Sequence, residues 1–170
     1  MFEEELFSIE KYVKDEDKIL AHISDRKNSE TLLEHSDLVV KYNKKIYEDK
    51  NLKIVFDKLA EKFFGQNETV KKFWNEMIIN VSCMHDIGKL NINFQIDKMK
   101  NEIFERVPLC QSKRHSELSA RIYIDYFANK LIKLCSENKL NNDDIFKCFV
   151  FIRDNSLFTA NLVLFRIEFH

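Results

Sequence analysis

The sequence predicts an all-α fold, and three observations carry that prediction. Gly occurs twice and Pro once in 170 residues, too few for a fold built on hairpins or Gly-rich phosphate loops. Apolar residues recur at steps of three and four along most of the chain. Hydrophobic residues are 45% and charged residues 32%, a balance that supports a packed core and argues against a disordered chain. There is no internal repeat, low-complexity tract or Pro/Gly/Ser linker, so residues 1–170 are read as one domain.

The first twenty or so residues are expected to hold a short helix, followed by a polar loop over Ala21–Asn28. Ser29 is placed to cap a helix from Glu30 to about Asp49, with Leu32, Leu33, Val39, Val40 and Ile46 as a partial apolar stripe. A second helix covers Leu52–Phe64, with Ile54, Leu59 and Phe63 facing inward, and stops at Gly65. Asn67 caps a third, Glu68 to about Met84, whose apolar positions are Val70, Phe73, Trp74, Met77, Ile78 and Val81. Gly88 then lets the chain turn. A fourth helix runs from about Ser112 to Ser136 with Leu118, Ile122, Tyr126 and Leu134 on one side. Asn141 and Asp144 form a capping-box-like start to a fifth, Asn142 to about Arg153. Leu157–His170 is apolar and ambiguous between helix and strand.

Charge and targeting exclude some functions. With 27 Lys+Arg against 28 Asp+Glu, the chain does not advertise nucleic-acid binding through bulk charge; such a contact needs a local patch or a metal site. The acidic start MFEEELFSIEKYVK lacks the apolar run of a secretory signal. The longest apolar stretch, Phe149–Leu164, is broken by Arg153, Asp154 and Asn155, so no membrane span is expected. Cys83, Cys110, Cys135 and Cys148 form no C-x-x-C pair. They read as reduced thiols in a cytoplasmic protein.

Chemistry concentrates in Met84-His85-Asp86-Ile87-Gly88-Lys89. Imidazole nitrogen suits transition metals, and carboxylate oxygen suits harder ions and can bridge two. Adjacent helical residues point roughly 100° apart, so both reach one ion only where a helix ends. Further ligands are available from His35 in LLEHSDL and His115 in KRHSELSA. A lone helical His is ordinarily a surface or hydrogen-bonded core residue, and Lys89 alone could serve only a helix C-terminus. The order is what makes the pattern specific: His, then HD-x-G-K, then His. Three His and one Asp from three helices would suit Mn, Fe, Co, Ni or Zn.

That ordered set resembles the HD superfamily of metal-dependent phosphohydrolases, in particular the HD nuclease domain of the CRISPR-associated type I interference helicase-nuclease. The matching text is ILAHIS, TLLEHSDLV, CMHDIGKLNINFQ and KRHSELSA, spanning about Leu20 to Leu157. The resemblance implies a compact HD-domain helical bundle with a metal site between helices. It implies one or two divalent ions, Mg among the options, and hydrolysis of single-stranded DNA alongside a helicase module or CRISPR interference complex. His35 would be the first ligand and His85 with Asp86 the doublet. Lys89 would neutralise charge on the scissile phosphate, and His115 would belong to a second metal position. His22 matches a His often seen before the first motif and is given no ligand role.

The chain also departs from the family. The paired His that follow an Arg are here Asp154-Asn155. Asp154 could still ligate, but Asn155 is at best a weak ligand, so weak or single-ion activity is expected. A further Asp beyond this point and the helicase motor find no match up to His170. Two alternatives stay open: an HD phosphohydrolase of small nucleotides, and a degraded HD scaffold binding a defence-complex partner. For a DNA substrate, Lys71, Lys72, Lys98, Lys100, Arg106, Lys113, Arg114 and Arg121 are the candidate approach path, unless they are merely solvated. Phe94 is the aromatic expected near the substrate mouth.

Overall fold

The computed structural model describes residues 6–13, 18–23, 29–108 and 114–161, with side chains to residue 156. It is mostly helical, as expected. A short ribbon pairs β1 (Leu20–His22) antiparallel with β2 (Glu30–Thr31), setting Leu20 opposite Thr31 and His22 opposite Glu30. Among the described residues six α-helices follow: α1 (Leu32–Asp49), α2 (Leu52–Phe64), α3 (Glu68–Met84), α4 (Ile92–Asp97), α5 (His115–Ser136) and α6 (Asn142–Asn161). A 3-10 turn at Ile87–Leu90 joins α3 to α4.

Capping chemistry sets most of these bounds. The Asn67 side chain accepts from the Val70 amide and starts α3 where the sequence places it. Gly65 ends α2 at φ 61°, a backbone conformation that costs glycine little. The start of α1 differs from expectation. Thr31, not Ser29, is the cap, and Thr31 and Glu34 bind each other's backbone amides in a full capping box. Glu30 consequently lies in a strand. Among the described residues of the N-terminal stretch, where a short helix was expected, there is a 3-10 turn at Ile9–Lys11 and then β1, so Ala21 and His22 are strand rather than loop. The last helix extends past Arg153 to Asn161, and residues 162–170 of the ambiguous tail lie outside the described residues.

The core is built on α3. Val70, Phe73, Trp74 and Met77 are buried with Tyr123, Phe127 and Leu131 of α5, Cys148 and Ile152 of α6, and Ala60 and Phe64 of α2. Each large apolar side chain so covered contributes about 2 kcal/mol. The buried Tyr123 hydroxyl donates to the Met77 carbonyl, which ties α5 to α3 without an unsatisfied polar group. Two helix faces differ from the expected ones. On α5 the buried stripe is Ser119, Tyr123, Phe127 and Leu131, one position on from Leu118, Ile122 and Tyr126. On α2 the inward residues are Ala60 and Phe64, while Ile54, Leu59 and Phe63 are exposed. Cys83, Cys135 and Cys148 are free thiols. Burial pushes the Cys83 thiol up to about 11 and Cys148 up to about 12, which leaves both unreactive near neutral pH. Cys110 lies outside the described residues.

Gly88 is needed for closeness rather than for a turn. A Cβ there would lie 1.8 Å from the His115 carbonyl oxygen and 2.8 Å from the Ser119 amide nitrogen. The Gly88 amide donates to the Ser119 hydroxyl at 2.8 Å. The start of α5 is therefore pressed directly on the turn that follows α3. Gly88→Ala is expected to lose about 3 kcal/mol or more of stability, because both neighbours of the new methyl are backbone. Urea unfolding of the two proteins measures that loss; a drop under about 0.5 kcal/mol would contradict the contact.

Candidate metal centre

Four elements converge on the end of α3. His85 caps that helix and Asp86 is the next residue. His35 lies in the first turn of α1, not in mid-helix, and His115 is the first residue of α5. Asp86 is the hub. Its Oδ2 lies 3.3 Å from His35 Nε2 and 3.4 Å from His85 Nε2, and its Oδ1 lies 3.4 Å from His115 Nε2. The Lys89 ammonium sits 2.7 Å from Oδ2 and donates to the Ala21 carbonyl at 2.9 Å. Asp86 and Lys89 are both buried, and the three imidazoles nearly so.

The far ring nitrogens are also engaged. His85 Nδ1 is 2.7 Å from the Ser82 carbonyl oxygen, and His35 Nδ1 is 3.2 Å from a Glu30 carboxylate oxygen. A carbonyl oxygen only accepts, so His85 Nδ1 carries the hydrogen. A neutral imidazole then presents a bare lone pair at Nε2, facing a carboxylate oxygen that also only accepts. His35 repeats this between Glu30 and Asp86. Two lone pairs facing each other at 3.3–3.4 Å are stable only with a second proton on the ring or a cation bound between them. An anchored Nδ1–H with Nε2 aimed inward is also the arrangement that holds a metal-ligating His. The donor atoms of His22, His35 and Asp86, all within 4.8 Å of one another, are of the kind a transition-metal ion takes, and His85 and His115 meet the same carboxylate.

Electrostatics follow from the same contacts. Burial works to raise the Asp86 carboxyl, but hydrogen bonds from His115, His35 and His85 outweigh it and hold the group well below the usual carboxylate range. Burial works to lower His85, yet its hydrogen bond and charge interaction with Asp86 win, and it is raised above 6.5. His22 is lowered, first by partial burial and then by Lys89 and His35.

The sequence-derived residues fare unequally. His35, His85, Asp86, Lys89 and His115 come together. Asp154 does not join them: its carboxylate is held by the neighbouring Arg153 at 2.8 Å and is 45% exposed. Lys89 is buried behind Asp86 with two of its three donors taken, so it balances Asp86 and anchors β1 rather than standing open to a phosphate. Phe94 lies beside the cluster, its ring centroid 4.8 Å from that of His115, but at 5% exposure it offers no open face for a base to stack on. Arg106, Arg114, Arg121 and Lys71 pair with Asp97, Glu117, Asp125 and Glu68 respectively, as solvated helix faces do. Lys113 lies outside the described residues.

Sequence reasoning passed over three contributors. His22 belongs to the cluster, with donor atoms of His22, His35 and Asp86 all within 4.8 Å of one another. Glu30, opposite His22 on the ribbon, orients His35. Gln95, fully buried, binds both the amide and the carbonyl of Leu20 and also the Lys89 carbonyl. One side-chain amide thus fastens the ribbon to the HDIGK turn. The phrase N-x-x-FQ was the visible signal for it.

No protein-family model matches the chain, and no match is found among curated proteins or among solved structures. Function is therefore argued from the site's own chemistry.

Two outcomes are expected. Glu30→Gln removes the carboxylate behind His35 and should weaken Mn or Co binding about 10-fold, read by isothermal titration calorimetry. The second concerns pH in metal-free protein. A raised His85 contributes stability that is complete below its ordinary 6.5 and is lost as pH climbs through the raised value. The stability gap between the parent chain and His85→Gln should accordingly narrow as pH rises above 6.5. A depressed Asp86 acts oppositely, with stability present above its ordinary 3.8 and lost as pH falls toward the depressed value. Urea unfolding across pH measures both.

Proposed function

We propose that this chain is a metal-dependent phosphodiesterase of the HD nuclease type, acting on single-stranded DNA. The observation that carries the reading is the inward-facing ring of His35, His85 and His115 around Asp86. A bound divalent ion would sit between the facing lone pairs of Asp86 and the rings of His35 and His85, whose far nitrogens are already engaged, and would let those rings stay neutral.

The residues divide the work. His35, His85, His115 and Asp86 would hold the ion, and His22 stands beside them. When bound, such an ion supplies hydroxide near neutral pH and polarises a phosphoryl oxygen. Lys89 balances the charge of Asp86 and holds its Oδ2 at 2.7 Å. Glu30 and the Ser82 carbonyl lock the ring orientations of His35 and His85. Phe94 packs against one side of the His115 ring. The DNA substrate and the helicase or interference-complex partner come from the motif resemblance. Among the described residues no helix is long and apolar enough to cross a membrane, and a cytoplasmic location is part of the proposal.

One observation favours a second reading, a scaffold that keeps the site but cuts little. The position family members fill with paired His holds Asp154, which is engaged by Arg153.

Elemental analysis of purified protein should find about one transition-metal ion per chain, lost in Asp86→Ala and retained in Asp154→Ala. With Mn, Co or Ni the parent protein should cut single-stranded DNA, and His85→Ala and Asp86→Ala should cut about a thousandfold more slowly or less. Undiminished cutting in both variants removes the site from the reaction. Metal retention without cutting selects the scaffold, and turnover of nucleotide monophosphates or cyclic nucleotides alone selects a small-nucleotide hydrolase.

A further inference from the structure

A second polar feature lies at the other end of the α3–α5 pair. A cavity of about 500 Å³ opens between them, walled by Thr69, Lys72 and Glu76 of α3, Lys130 and Lys133 of α5, and Glu137 and Lys139 just beyond α5. Phe73 and Leu134 form its apolar floor. From Lys72 to His85 is thirteen residues of helix, about 20 Å at 1.5 Å per residue, so the cavity is separate from the His–Asp cluster.

Charge accounting singles out two of its lysines. Glu76 is paired with Lys130, whose ammonium also lies 5.1 Å from the Tyr126 ring centroid. Glu137 is paired with Lys139 at 2.5 Å. Both carboxylates lining the cavity are thereby neutralised. Lys72 and Lys133 remain, one from each wall; neither has a carboxylate at ion-pair distance among the described residues, and Lys133 only adds a longer-range attraction to the already paired Glu137. Ammonium groups lining one cleft from two helices can each give an anion a charge-assisted hydrogen bond. The Thr69 hydroxyl adds a neutral donor on the same wall. A doubly charged tetrahedral oxyanion matches that donor set.

We propose that this cleft is a phosphate-binding site in which Lys72 and Lys133 grip one phosphate group from opposite helices, with Thr69 as a third donor. The inference does not depend on metal binding or on nuclease activity. The phosphate can belong to a free phosphorylated small molecule or to a nucleic-acid strand, and the probes separate these sources.

The experiment titrates the full chain with inorganic phosphate, thymidine 5′-monophosphate and a thymidine decamer, following backbone amide NMR shifts. Saturable shifts at residues 69–73 and 130–134 are expected with at least one probe. Saturation by phosphate or the monophosphate marks a small-molecule site; saturation by the decamer alone marks a strand contact. Lys72→Glu/Lys133→Glu should weaken that binding about 10-fold or more. The control Lys44→Glu/Lys45→Glu, on exposed α1 positions, should change it less than about twofold. Lys72 and Lys133 are both exposed, so the double variant keeps its fold, which thermal unfolding checks. No saturable shift there with any probe, or equal weakening in the two double variants, overturns the proposal. Because Asp86→Ala should leave the cleft titration intact, failure here and failure of the metal centre are told apart.

Discussion

A single buried carboxylate organises this molecule. Asp86 takes contacts from α1, from the end of α3, from the 3-10 turn and from the start of α5. A charge so far from water is tolerable only when it is compensated on every side. Each element must therefore deliver its own nitrogen. The same demand explains why apolar burial alone does not specify the packing at this end of the bundle. The core of Phe73, Trp74, Tyr123 and Phe127 sets α3 against α5, but the ring of nitrogens sets where each helix begins or ends.

Main-chain contacts do much of that positioning. The capping box of Thr31 and Glu34 decides where α1 starts and so where His35 points. Gly88 and Ser119 seat the first turn of α5 on the HDIGK turn. Gln95 acts as a short piece of sheet, pairing with Leu20 on one side and Lys89 on the other. Lys89 links the hub to the Ala21 carbonyl in the middle of β1. The ribbon, the turn and the two helix starts are thus joined by polar contacts that the hydrophobic effect, having no direction, cannot supply.

What could be read from sequence divides along physical lines. α2 and α3 were legible to the residue because Gly65 and Asn67 are strong local signals. The Thr31-x-x-Glu34 box was equally present in the text, but Ser29 is an acceptable cap and drew the boundary two residues early. The ribbon was not legible: strands of three and two residues are too short to show alternation. For that reason Glu30 and His22 were not read together, since they become neighbours only across the ribbon. On α5 the expected stripe missed by one position because Ser119 interrupts the apolar pattern, and Ser119 is buried to accept a hydrogen bond. The set of His35, His85, Asp86 and His115 was legible as an ordered motif. Asp154 rested on likeness alone, and its pairing with Arg153 takes it elsewhere.

The close seat of Gly88 on His115 has a consequence for how related chains can diverge. The third imidazole owes its place to contact at its own end of α5, not to the reach of the connection from α4. The first part of that connection is itself held down, Asn101 by Lys18 and Gln95 and Val107 by Asn93, and none of these contacts is to His115. Inside the short span from His115 to Ser119 a single insertion would rotate the helix by roughly 100° and break the seat. Drift in length should therefore be purged from the helix start, a signature that becomes visible once several related sequences are compared.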